Sequence, residues 1–172
     1  MSIIYPGEIE SILGDLEHDA SLTHRQRWVL CDILWSDPEE WRWNRERDET
    51  FRRLHALEQA LGCVESGRQL AIDVIDTTIQ IDLLWNSCQG PYAEITVPGS
   101  DGPVIKRREL QESATGPTLA VALVVALTKV RLNLWRDEQE KKQKREQDAQ
   151  DDRPERAPAS DVKVVLLNGG AA

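Results

Sequence analysis

The sequence predicts a mainly α-helical protein: a helical core with a small β-hairpin insertion, a long C-terminal helix and a short terminal strand. Three observations carry that prediction. The segment GPTLAVALVVALTKVRLNLW, residues 116–135, is apolar around its whole circumference for about three turns, which demands cover on every side there. The stretch CQGPYAEITVPGSDGPVIKRREL, residues 88–110, is punctuated by Gly and Pro and alternates in polarity, as a hairpin does. Two helix-start signatures, at Thr23 and at Asp37, mark helices in the first half.

Taken in order, residues 1–21 hold five acids (Glu8, Glu10, Asp15, Glu17, Asp19) and no Lys or Arg. Thr23-His24-Arg25-Gln26 has the form of a capping box, in which the Thr and Gln side chains satisfy free amides reciprocally. Trp28, Cys31 and Trp35 then share a stripe, with Leu30, Ile33 and Leu34 beside it. Asp37-Pro38-Glu39-Glu40 starts a new helix, because Asp caps, Pro suits the first helical position and acids face the positive dipole end. That helix is expected to run to Gly62, a left-handed C-cap. Trp41 and Trp43 open it, Phe51, Leu54, Leu57 and Leu61 close it, and residues 44–50 are polar.

Residues 71–85 read as a helix, since Leu70, Val74, Ile81 and Leu84 are helically spaced, although Ile79, Ile81 and Leu83 alternate as a strand would. The hairpin is expected as a strand over 92–97, a turn over 98–103 and a return over 104–107. Gly116-Pro117 opens the last helix, running from Thr118 to about Gln147, roughly 45 Å at 1.5 Å per residue. Its second half, RDEQEKKQKREQDAQDD, is polar all round, and residues 153–160 read as a linker. Beyond lies an apolar coda: Val162, Val164, Val165, Leu166 and Leu167 around Lys163. It reads either as a strand that adds to a sheet edge or as a disordered end. The expected organisation is a helical region over 1–66, a helix–hairpin–helix oligomerisation core over 67–136, a charged extension and linker over 137–160, and a partner-binding tail over 161–172.

Composition narrows the function classes. A net charge of −9 argues against a surface coated with basic groups for nucleic acid, though not against a local basic face. No secretory signal opens the chain, and no apolar run approaches the roughly 20 residues of a membrane span. Three widely spaced cysteines, Cys31, Cys63 and Cys88, suit a reduced, cytoplasmic setting.

No phosphate loop, nucleophile elbow or paired Cys/His motif is present, and no pattern asks for a cofactor. His18, His24 and His55 are scattered, as surface or capping residues are. Glu46 and Glu49, with Asp73 and Asp76, form two i, i+3 carboxylate pairs that could hold Mg²⁺ between facing helices. Their spacing resembles that of the all-α nucleoside triphosphate pyrophosphatases, an alternative reading. Neighbouring arginines also suit Glu46 and Glu49 as ordinary surface ion pairs. Candidate phosphate contacts are Arg42, Arg45, Arg47, Arg52 and Arg53, and Lys106, Arg107 and Arg108 after the hairpin; a solvated charged face is the plainer explanation of each run. Trp41 or Trp43 beside arginines suits an interface; cover for the first helix junction by both is the plainer reading.

In a short chain, the all-round apolar segment points to cover by a second copy, through Leu119, Val121, Leu123, Val124, Leu127, Val130 and Leu134. From residue 71 to 135 the layout also resembles that of bacteriophage small terminase subunits: a helix over 71–87, a Gly-containing hairpin over 90–110, and the Pro-started helix from Gly116-Pro117-Thr118-Leu119. The charged stretch and the coda resemble the tails of such subunits, whereas the N-terminal third lacks the DNA-binding helix-turn-helix that many members carry. The resemblance implies a non-catalytic, ring-forming homo-oligomer that recognises viral DNA and regulates the large terminase subunit. A small adaptor whose coda binds a partner strand is the other alternative.

Overall fold

Thr23 and Gln26 meet as a capping box requires: the Thr23 amide donates to Gln26 Oε1 at 2.8 Å and the Gln26 amide to Thr23 Oγ1 at 3.3 Å. From that cap, helix α2 runs His24–Trp35. It follows α1, Pro6–His18, whose Ile9, Ile12, Leu13 and Leu16 form one buried stripe. The computed structural model describes residues 6–19, 21–35, 47–75, 77–86, 88, 90–101, 106–107 and 109–151. The helix start expected at Asp37 therefore lies outside the described residues, as does the coda with Val162, Val164, Val165, Leu166 and Leu167.

Helix α3 covers Arg47–Gly62 and α4 covers Val64–Val74, with Cys63 alone between them in an extended conformation. Gly62 is the last residue of α3 and not a left-handed cap; Gly90, at φ +81°, is the one positive-φ residue among those described. The reason is the immediate restart of the helix: an extended Cys63 redirects the chain, so no left-handed residue is needed.

The helix expected over 71–85 is two elements. After α4 the chain leaves helical geometry at Ile75 (φ −114°, ψ 106°), and strand β1 occupies Gln80–Asn86. Leu70 and Val74 belong to the helix face. Ile79, Ile81 and Leu83 follow the two-residue period of a strand, which suits β-branched side chains. Strand β2, Gly90–Val97, pairs antiparallel with β1, placing Ile81 opposite Ile95 and Leu83 opposite Ala93. Gly90 sits where the β1–β2 connection closes, and its left-handed backbone is the conformation glycine permits.

The hairpin is also more than a two-stranded flap. Short strands β3 (Ser100–Asp101) and β4 (Lys106–Arg107) pair as a ribbon. The chain then returns along β2 as β5, Leu110–Thr115, giving a three-stranded sheet of order β1-β2-β5. Pro91, Ala93, Ile95 and Val97 of β2 point inward, the alternation the sequence shows.

Helix α5, Leu119–Asp151, supplies the centre. Every residue from Ala120 to Thr128 is buried, and Thr128 satisfies its hydroxyl on the Val124 carbonyl at 2.8 Å. One apolar cluster joins this helix to α1, α2 (Leu30, Leu34), α3 (Leu54, Leu57), α4 (Leu70, Ala71) and β2. The demand for cover on every side is thus met by the chain itself. Val121, Leu123, Val124, Leu127 and Val130 are fully enclosed within one copy, so they are core residues and not an oligomer interface. Leu119 and Leu134 are half-buried at the ends of the same segment. The cover comes in part from α4 (Leu70, Ala71), from Ala114 of β5 and from Ile81 and Leu83 of β1, all packed in or against the same cluster.

Two compact units divide the chain, Met1–Gln139 and Glu140–Ala172. In the second, residues 140–148 are helical and exposed. Among the described residues, no helix is long and apolar enough to cross a membrane.

Candidate functional site

Arg52 and Arg53 are consecutive on α3, so about 100° of helical rotation separates them. Arg53 is half-buried, its guanidinium carbon 5.9 Å from the Trp35 ring centroid on α2, a cation–π distance. Arg52 is exposed. The arginine run therefore splits between an internal brace and a solvent-facing cation. Arg47 begins α3, and Lys106 and Arg107 form β4. Arg42, Arg45 and Arg108 lie outside the described residues.

Of the carboxylates weighed for Mg²⁺, Asp73 is exposed on α4 and accepts a hydrogen bond from Gln69 Nε2 at 2.8 Å. Glu49 lies on α3, while Glu46 and Asp76 are outside the described residues. No group of three His, Cys, Asp or Glu side chains suited to a metal occurs among the described residues. The histidines are engaged locally: His18 with the Gly14 carbonyl at 2.8 Å, His24 with Trp28 Nε1 at 2.8 Å, and His55 with Gln59 at 3.1 Å.

A cleft of about 350 Å³ opens between α1, β5 and α5, lined by Glu10, Glu17, Glu112, Lys129, Asn133 and Arg136. Its polar groups bind one another. Lys129 Nζ donates to Glu17 Oε1 at 2.7 Å and to the Ser113 carbonyl at 3.2 Å. Arg136 Nη2 donates to Glu10 Oε1 at 2.9 Å, and Asn133 Nδ2 to Glu112 Oε1. With each cation matched by a carboxylate, the cleft is a seam that ties α1 and β5 to the central helix. Such partly exposed pairs contribute about 0–1 kcal/mol each.

Cys63 occupies the N-cap of α4. The amides at the start of α4, Ser66 first and then Glu65, hold its pKa below the usual thiol value, the ordinary effect of a helix N-terminus on a thiolate. Cys31 is buried on α2. At neutral pH Cys63 is expected to react with iodoacetamide readily while Cys31 stays protected until the chain unfolds; peptide mass mapping of the labelled protein checks this. Equal labelling of both in the folded state contradicts it.

The sequence reading missed the edge strand β1. Asp82 carries its one charge, and Leu84 and Trp85 are 57% and 72% exposed. Among the described residues β1 pairs with β2 alone, so no described strand covers its other edge. An edge of seven residues without Lys, Pro or bulge lacks the devices that usually deter strand pairing. At the opposite edge Lys129 takes the carbonyl of Ser113 on β5. The signal was present as the alternation of Ile79, Ile81 and Leu83. No protein-family model, curated protein or solved structure matches the chain.

Proposed function

We propose that this protein is a non-catalytic assembly subunit of the terminase small-subunit kind, which associates with copies of itself and presents DNA to a large packaging motor. The observation that carries the reading is the apolar strand β1, unpaired on its outer edge among the described residues, where Leu84 and Trp85 are exposed on a strand with one charge. A large apolar side chain exposed at an unpaired sheet edge is an association surface. Helix α4, a small sheet and long helix α5 follow one another in that order, although most of the stretch 71–87, a helix in the layout of such subunits, is here strand β1 and its approach. Exposed Arg52 supplies a cation for phosphate contact.

Light scattering after size exclusion tests the first part, and fluorescence anisotropy with duplex DNA the second. The reading expects a defined mass at a multiple of 19.5 kDa. It also expects DNA affinity that falls steeply with salt and weakens in Arg52→Ala, because phosphate contacts release counterions. A monomer at micromolar concentration overturns the self-assembly. Binding that is absent at low salt overturns the DNA role.

A further inference from the structure

We infer that Lys141, Lys142, Lys144 and Arg145, on one side of the exposed part of α5, hold the phosphate backbone of duplex nucleic acid. The inference rests on the DNA-presenting reading above and names a contact site for it. The four cations fall within five consecutive residues, Lys-Lys-Gln-Lys-Arg, and all are helical and exposed. At about 100° per residue they occupy an arc of roughly 160°. Gln143 and Gln147, with Glu140 and Glu146, fill the rest of the circumference, and Asp148 returns to the cationic side one turn later.

The chain leaves these cations unmatched. Elsewhere it neutralises its own: Arg25 meets Glu8, Arg27 meets Glu58, and Lys129 meets Glu17. Glu140 precedes Lys144 by four residues and Glu146 follows Lys142 by four, the spacing at which helical ion pairs form. Even so, among the described residues no carboxylate lies within ion-pair distance of any of the four. A short basic run left unpaired in a chain of net charge −9 suits an external polyanion. A bilayer surface fits less well, because an interfacial helix needs an apolar face and residues 140–148 contain no apolar side chain. Duplex DNA offers one charge per about 1.7 Å of axis, so long Lys and Arg stems spread over five residues reach several phosphates together. The acidic remainder of the chain repels DNA, but a Debye length of about 10 Å at 0.1 M salt confines that repulsion, and the local run decides the contact. Phosphate contacts position a protein without reading bases, so the site binds without sequence preference.

Fluorescence anisotropy of the full-length protein with a short labelled duplex, titrated at several salt concentrations, tests the site. The unsubstituted chain is compared with a fourfold variant, Lys141→Gln, Lys142→Gln, Lys144→Gln and Arg145→Gln, in which Gln preserves helix propensity. Each phosphate contact contributes about −0.9 to the slope of log K against log salt. The fourfold variant is therefore expected to bind at least about tenfold more weakly, with a slope shallower by about 3–4. Glu140→Gln with Glu146→Gln, on the same helix, is expected to bind more tightly than the unsubstituted chain. Unchanged affinity and slope in the fourfold variant overturn this site and leave DNA binding through Arg52 standing. A fourfold variant that binds DNA as before but loses native mass assigns the cations to a contact between copies, and overturns the site equally. An unsubstituted chain that binds no DNA at low salt overturns both.

Discussion

Leu123→Ala is expected to lower the free energy of unfolding by about 2–5 kcal/mol, a large part of the roughly 5–15 kcal/mol typical of a whole domain. Leu123 lies at the middle of the buried stretch of α5 and is fully enclosed. Truncating its isobutyl group to a methyl forfeits apolar burial and leaves a hole that the surrounding structure closes only in part. The effect has a second reading through Gly67. That glycine is inside α4, where it costs up to about 1 kcal/mol relative to Ala. A Cβ added there would lie 3.0 Å from Leu123 Cδ2, so α4 keeps the glycine to let α5 approach. Gly67→Ala alone is therefore expected to destabilise. In the Leu123→Ala background it fills part of the hole and stabilises. Urea denaturation of the four proteins, followed by circular dichroism, gives the coupling; additive effects would show that the two helices do not meet at this pair.

Gly116→Ala is expected to cost about 1–3 kcal/mol as an overpacked buried position. A Cβ there would meet the backbone nitrogen of Ala122 at 2.9 Å and its Cα at 3.3 Å. Backbone cannot rotate aside as a side chain can, so β5 and the start of α5 must separate. The Gly116 amide also donates to the Pro91 carbonyl at 3.2 Å, so the shift loosens β2. Thermal unfolding is expected to fall by several degrees. An unchanged midpoint would mean that the β5–α5 junction yields more easily than its geometry indicates.

Local chemistry made parts of this fold legible. The cap at Thr23 and Gln26 needs four residues and no knowledge of the rest of the chain. Gly116-Pro117 announces α5 as clearly, because glycine fits the crowded turn and proline starts a helix without needing its amide. Residues 71–85 failed because two periods overlap there without a Gly or Pro between them. Leu70 and Val74 belong to a helix, Ile81 and Leu83 to a strand, and the break at Ile75 to residue 79 is chemically quiet. Strand β5, Leu-Gln-Glu-Ser-Ala-Thr, has almost no apolar alternation. It is a strand because β2 offers it an edge and Ala114 fills the space opposite Ala93. Such nonlocal pairing cannot be read from a window. The same blind spot made Val121, Leu123, Val124, Leu127 and Val130 look like an interface: the elements that cover them were those least visible. The β1 edge, with Leu84 and Trp85, came to light once the strand was known to be one.

The central helix is also the last element of the core to leave the ribosome, and this fixes the order of events in the cell. Lys129 binds Glu17 across 112 residues of chain, and Arg136 binds Glu10 across 126. Closing loops of that size is slow compared with forming a local turn. At about 5–20 residues per second of synthesis, α1 to α4 and the sheet wait several seconds with their apolar faces uncovered. A nascent chain stalled before residue 120 lacks the α5 side chains, Val121 to Val130, that fill the centre of the apolar cluster.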